Sequence, residues 1–154
     1  SSGNIYSDID LRSVVINTTS GDITLKNIND GTVSSTSGNI NVANANKLNV
    51  SATSGDISLD ETKNIIANTQ SGNIEVRSIT SKMDITTTSG DINISSLSIK
   101  EDSKAEAKSG NIDIKLDKDV FIDATTRSGN IDIDNTNTNP TLTIKTTSGD
   151  ITAK

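Results

Sequence analysis

The chain has no cysteine and no histidine. Without Cys there is no disulfide framework, thiolate nucleophile or zinc-thiolate site. Without His the usual general base and the commonest transition-metal ligand are both missing. Aromatic residues make up 1% of the sequence and hydrophobic residues 31%. Such a composition, taken alone, points toward disorder. Basic residues form no run and the formal net charge is −6. A phosphate-tracking surface is therefore not expected, and no nucleic-acid partner. There is no long apolar span and no signal peptide, so membrane insertion is not expected either.

What the chain does have is a repeat. Ser-Gly-Asp/Asn-Ile stands at Ser2-Gly3-Asn4-Ile5 and at Ser20-Gly21-Asp22-Ile23, and it returns down to Ser148-Gly149-Asp150-Ile151. The motif glycines are Gly3, Gly21, Gly38, Gly55, Gly72, Gly90, Gly110, Gly129 and Gly149, spaced 18, 17, 17, 17, 18, 20, 19 and 20 residues apart. A fixed period of this size is the signature of a repeat architecture. The sparse apolar residues fall at the same phase of each unit, which answers the disorder reading. A solenoid needs only a thin core, because each repeat buries its face on the next.

Each unit alternates apolar and polar residues into the motif and out of it. Val14, Ile16 and Thr18 lead into Ser20-Gly21, and Ile23 and Leu25 lead out. Period-two alternation of β-branched residues is a half-buried strand. A strand thus enters each Ser-Gly corner and another leaves it, and a shorter segment around Ile28, Ile79 or Leu97 is expected to close the turn. Three before each Gly stand Thr18, Ser35, Ala52, Thr69, Thr87, Ala107, Thr126 and Thr146, all small or β-branched, as a narrow corner requires. The invariant Gly suits a corner with φ > 0.

The residue after Gly runs Asn4, Asp22, Asn39, Asp56, Asn73, Asp91, Asn111, Asn130, Asp150, an almost strict alternation. Like charges directly opposite on neighbouring strands are destabilising. In a parallel stack, alternating Asn with Asp is expected to let an amide donate to each carboxylate. The fold expectation is all-β: a single right-handed parallel β-helix of about nine coils of 17–20 residues, covering residues 1–154 as one domain. An antiparallel meander would need some eighteen short strands. A left-handed hexapeptide helix would space its apolar residues by six, and calcium-binding nonapeptide repeats need paired glycines. The longer units after Gly90 place their extra residues, including the only Pro, Pro140, in loops away from the corner.

The repeated Thr-x-Ser-Gly-Asp/Asn-Ile-x-Ile, best seen at Thr18-Thr19-Ser20-Gly21-Asp22-Ile23 and Thr87-Thr88-Ser89-Gly90-Asp91-Ile92, resembles an adhesin-like bacterial family of unknown function. That family includes β-solenoid domains of Lia-type cell-envelope stress proteins. The resemblance covers essentially the whole chain. It implies a β-solenoid, surface association and no catalytic residues.

No cluster announces a chemistry. Ser and Thr are plentiful but have no His to activate them. Asp113 and Asp132 both lie three past their glycines and are expected on adjacent coils. With Asp117 or Asp134 they would form a carboxylate cluster for Ca²⁺ or for glycan cleavage. The alternative is a solvated acidic face with Lys115 and Lys118 nearby. Two before each Gly stand Thr19, Thr36, Thr53, Gln70, Thr88, Lys108, Arg127 and Thr147. Such a Thr column invites an ice-binding reading, which Gln70, Lys108 and Arg127 interrupt, and Thr also simply suits an exposed strand. The functional expectation is a non-catalytic cell-surface or extracellular scaffold, with no cofactor, no metal and no catalytic residue. Its partner would be cell-wall glycan, a host surface or a peptide. The alternatives are a polysaccharide-processing β-helix and a structural spacer. Uncapped ends also suggest end-to-end self-association or a flanking domain.

Overall fold

A computed structural model describes residues 2–134 and 139–154. Strands account for nearly all of it, and no helix occurs among the described residues, so none is long and apolar enough to cross a membrane. The first five coils are each one long extended stretch: β1 (Ile5–Ser20), β2 (Ile23–Ser37), β3 (Ile40–Ser54), β4 (Ile57–Ser71) and β5 (Ile74–Ser89). Later coils break in two, giving β6 (Ile92–Leu97), β7 (Ser103–Ser109), β8 (Ile112–Leu116), β9 (Phe121–Ser128), β10 (Ile131–Ile133), β11 (Thr141–Ser148) and β12 (Ile151–Ala153). Every named pair is parallel, which is the stacked β-solenoid expected from the repeat. The third segment is not a separate strand in the early coils. Ile28 pairs with Ala45, and Ala45 with Thr62, within the same ladders that serve the corner.

The corner is where each ladder stops. All nine motif glycines have positive φ, between 117° and 157°. A Cβ on Gly55 would lie 2.3 Å from the carbonyl oxygen of Gly38 in the neighbouring coil. Backbone approach as well as φ therefore demands Gly here. The Ile that follows each corner stacks in register through Ile23, Ile40, Ile57, Ile74, Ile92, Ile112 and Ile151, all of them buried. The column ends in two half-covered members, Ile5 at one end and Ile131 at the other.

The coils are not stacked in the order of the chain. Through the Gly110 corner each coil lies on its predecessor. Then β11 pairs with β7 on one side and β9 on the other, and β12 lies between β8 and β10. The coil of Gly149 thus sits between those of Gly110 and Gly129. β12 is paired on both edges: Lys154 N–H donates to Ile114 O at 3.1 Å, and Asp134 N–H donates to Ala153 O at 3.0 Å. β12 therefore lies inside the stack, and the Gly129 coil, earlier in sequence, is the outermost of the described coils on that side. The nine corners make eight coil-to-coil steps. This order corrects the expectation that Asp113 and Asp132 lie on adjacent coils: Thr152 pairs with both and separates them.

Two loops lie where the longer units predicted them, at residues 98–102 and 117–120. Pro140 follows a cis peptide bond at the start of β11. The third expected loop falls on residues 135–138, which lie outside the described residues.

Candidate functional site

Three columns of polar side chains run along the outside of the stack, and the Asn/Asp column at the corner is the most regular. Asp22 N–H donates to Asn4 Oδ1 at 3.0 Å, and Asn39 N–H to Asp22 Oδ1 at 2.8 Å. The same bond recurs through Asp56, Asn73, Asp91 and Asn111. It then passes to Asp150 and last to Asn130, at 2.9 and 2.7 Å. The bond is not the amide-to-carboxylate link expected from sequence. Each side-chain oxygen instead accepts the backbone N–H that the Gly turn leaves without a strand partner. Asn and Asp offer the same oxygen for that purpose. Their alternation handles charge, because it holds carboxylates two coils apart, about 10 Å at the usual strand spacing.

In spatial order the alternation is strict: Asn, Asp, Asn, Asp, Asn, Asp, Asn, Asp, Asn. In chain order it fails at Asn111 and Asn130. The inserted coil repairs it. The same insertion places Thr147 between Lys108 and Arg127, and Thr152 between Asp113 and Asp132. Like charges directly opposite are thereby avoided in two columns at once.

Asp113 and Asp132 do not form a common site. Asp132 is ion-paired with Lys154 Nζ at 2.5 Å. Asp117 accepts a hydrogen bond from Ser96 Oγ. Among the described residues no group of three or more acidic side chains is arranged to hold a metal ion. The hydrogen bond to Asp132 raises the Lys154 pKa above its ordinary value, and Glu106 does the same for Lys104. The Thr column that suggested an ice-binding face runs Thr19, Thr36, Thr53, Gln70, Thr88, Lys108, Thr147 and Arg127 in spatial order.

A second column, which the sequence reading missed, lies midway between corners. Asn27 Nδ2 donates to Asp10 Oδ1 at 2.5 Å, and Asn44 Nδ2 donates to Asn27 Oδ1 at 2.8 Å. Glu61 continues the column by register. Two residues further along each coil stand Arg12, Asn29, Asn46 and Lys63, and the two rows line one shallow groove. Each Asn amide has two N–H donors, and the column uses one of them. The second donor of each is left over in a column that lines an open groove. The available signal was the repeat of Asn at a fixed distance past Gly21 and Gly38. A second groove beside it carries Tyr6, Thr24, Lys26, Asn41, Asp60 and Arg77. Tyr6 is 73% exposed, and Arg77 is ion-paired with Asp60 at 2.8 Å.

The buried corner position is filled as the sequence predicted. Thr146 Oγ1 donates to Gly110 O at 3.1 Å and Thr126 Oγ1 to Gly149 O at 3.2 Å. The hydroxyls of Ser35 and Thr69, at the same position, are buried and reach no partner.

A family model described as Toastrack DUF4097 matches residues 1–139. No curated protein and no solved structure matches the chain.

Proposed function

We propose a non-catalytic binding scaffold as the function of this chain, which belongs to the Toastrack DUF4097 family. The solenoid is a straight support for repeated polar side chains, and its ligand is an extended polar polymer. Cell-wall glycan suits it best, ahead of a host surface or a peptide, and such a ligand places the protein outside the cell or on its surface. The observation that carries this is the Asp10–Asn27–Asn44 column in its groove. Successive coils offer amide N–H groups about 4.8 Å apart, and a glycan chain presents hydroxyls at a comparable pitch. Exposed Tyr6 in the neighbouring groove adds an aromatic face for a sugar ring. The groove is open and lacks the enclosed apolar walls of a small-molecule site.

The test is retention on immobilised cell-wall glycans. The intact chain should be retarded, and the Asn27→Ala/Asn44→Ala variant should lose that retention while melting close to the parent temperature. Equal behaviour of chain and variant, or no retention on any cell-wall glycan, would remove the proposal. A polysaccharide-processing reading would now have to rest on carboxylates other than the Asp113–Asp132 pair, since Thr152 stands between them.

A further inference from the structure

A third groove, of about 740 Å³, crosses β2 to β5 midway along the stack. It shares no lining residue with the Asn27–Asn44 groove. One wall is the column Asp30, Lys47, Asn64, Lys82, and the other is Thr32, Asn49, Ile66, Asp84. Buried Leu48 and Ile65 lie between them as the floor. Every coil that lines the groove is paired with a further coil on each side, so the groove does not depend on where the stack stops.

Three features of these walls do nothing for the core. Ile66 is 46% exposed, whereas the other exposed large apolar residues, Tyr6, Ile9, Val15, Phe121 and Ile131, all belong to the first or the outermost described coil. Lys47 is exposed and makes no ion pair among the described residues. Just before Lys82, β5 carries one extra residue, since Thr62 pairs with Ile79 but Asn64 pairs with Lys82. A bulge of this kind re-aims a side chain beside it.

The register sets Asn64 between two lysines. Lys47 and Lys82 stand one coil to either side, about 4.8 Å along the stack, and both side chains are long enough to converge over the Asn64 amide. Lys82 also reaches Glu101, at 3.4 Å, but both side chains of that pair are more than half exposed. Such a pair is weak and gives way to a better-placed anion. A carboxylate over Asn64 therefore meets one amide donor and two ammonium groups, and Asp30 lies two coils away. Ile66 stands across the groove on the same coil, about 7 Å along the strand. A carboxylate and an alkyl group held that far apart are what the last residue of a peptide offers, on one carbon atom. An Asp or Glu side chain offers the carboxylate without the alkyl branch. Asp84, one coil beyond Ile66, is an acceptor for the N–H of that last residue. Asn49, one coil the other way, is a donor for the carbonyl before it. A fatty acid would leave both unmatched.

We propose that this groove binds the C-terminus of a peptide that ends in an aliphatic residue. Lys47, Asn64 and Lys82 hold the carboxylate, and the terminal side chain lies on Ile66.

The experiment is a nuclear magnetic resonance titration of the isotopically labelled chain with acetyl-glycyl-alanyl-valine. The largest shifts should fall on Lys47, Asn64, Ile66 and Lys82. The same peptide with a C-terminal amide should bind at least about tenfold more weakly, because it loses the charge-assisted hydrogen bonds. A terminal glycine in place of valine should weaken binding about three- to tenfold through the lost apolar contact. Isovalerate, which has the carboxylate and the alkyl group but no peptide, should bind more weakly than the valine peptide. Lys47→Gln should weaken binding about tenfold with melting unchanged. Asn64→Asp should abolish binding, because its own carboxylate takes the ligand's place, while the flanking lysines keep the fold at least as stable. No shifts at millimolar peptide, or shifts centred outside this groove, would overturn the proposal. So would equal binding of the amide or of isovalerate, or full binding by a folded Asn64→Asp chain. The Asn27→Ala/Asn44→Ala variant leaves this groove intact and should bind the peptide as the parent does, so the glycan reading and this one fail separately.

Discussion

Asn130 donates its backbone N–H to the side-chain oxygen of Asp150 at 2.7 Å, so the later corner lies inside the earlier one. Asp150 in turn donates to Asn111 Oδ1 at 2.9 Å. The last coil is thus held in the slot between two coils that are neighbours in sequence. The placement leaves every carboxylate of the corner column flanked by amides. The column is both a hydrogen-bond relay and a charge spacer, and the two roles separate by mutation.

Replacing Asp56 by Asn keeps the acceptor for Asn73 N–H and removes a charge. Asp56→Asn should therefore leave stability nearly unchanged. Asn39→Asp keeps the acceptor too but sets three carboxylates on successive coils with Asp22 and Asp56. It should cost about 1 kcal/mol or somewhat less per like-charge contact, and added salt should recover most of it. Urea titrations at low and high salt measure both effects. Equal cost for the two variants would contradict the charge-spacer role.

Gly55→Ala and Gly3→Ala share the strain of positive φ, but only the first meets a neighbour. The new Cβ would lie 2.3 Å from Gly38 O, whereas nothing lies within 4 Å of the Cβ position at Gly3. Gly55→Ala should cost several kcal/mol, among the larger single-residue effects. Gly3→Ala should cost only the conformational penalty, about 1–3 kcal/mol. Thermal melts followed by circular dichroism distinguish the two.

The buried corner hydroxyls differ although their positions match. Thr146 Oγ1 is bonded to Gly110 O, and Thr69 Oγ1 is buried without a partner. Thr146→Val should destabilise by about 1 kcal/mol, and Thr69→Val should be neutral or stabilising by a similar amount. Ala52 already fills this position in the coil next to Thr69, which shows that an apolar side chain fits there. Chemical denaturation of the two variants side by side is the check.

Lys154 and Lys104 have pKa values raised above 10.5 by hydrogen bonds to Asp132 and Glu106. A raised folded-state pKa stabilises the fold fully below the unfolded value, and the contribution is lost as pH rises through the folded value. Melting should therefore show no lysine-linked change near neutral pH and a decline in the strongly alkaline range. Lys154→Met/Lys104→Met should flatten that decline. An unchanged alkaline slope in the double variant would contradict the linkage.

The architecture was legible because its cause is local and repeated. Gly at each corner, Ile two residues later, and small residues three before Gly each answer to a single steric demand that recurs in every coil. The stacking order at the C-terminal end was not legible in the same way. Every coil carries the same corner, so nothing local distinguishes a sequential neighbour from an inserted one. The trace in the sequence was a set of breaks in pattern: Asn111 followed by Asn130, Lys108 by Arg127, Asp113 by Asp132. The first only interrupts the alternation, the other two would set like charges on adjacent coils, and each is resolved by one residue of the inserted coil. The Asp113–Asp132 cluster was expected because chain order was taken as spatial order. The amide-to-carboxylate link was expected because side chains were paired before the orphaned corner N–H was considered. The groove lined by Asn27 and Asn44 is visible only when coils are stacked, since its residues are 17 positions apart.

Cysteine pairing tests the inserted coil most directly, because the chain contains no Cys of its own. Ser148 pairs in register with both Ser109 and Ser128. Neighbouring coils stand about 4.8 Å apart, within disulfide reach, and second neighbours stand beyond the limit of about 7 Å. Under mild oxidation, Ser109→Cys/Ser148→Cys should close a disulfide, and Ser109→Cys/Ser128→Cys should not. Ready closure of the second pair, with the first remaining reduced, would show coils stacked in chain order and would contradict the account.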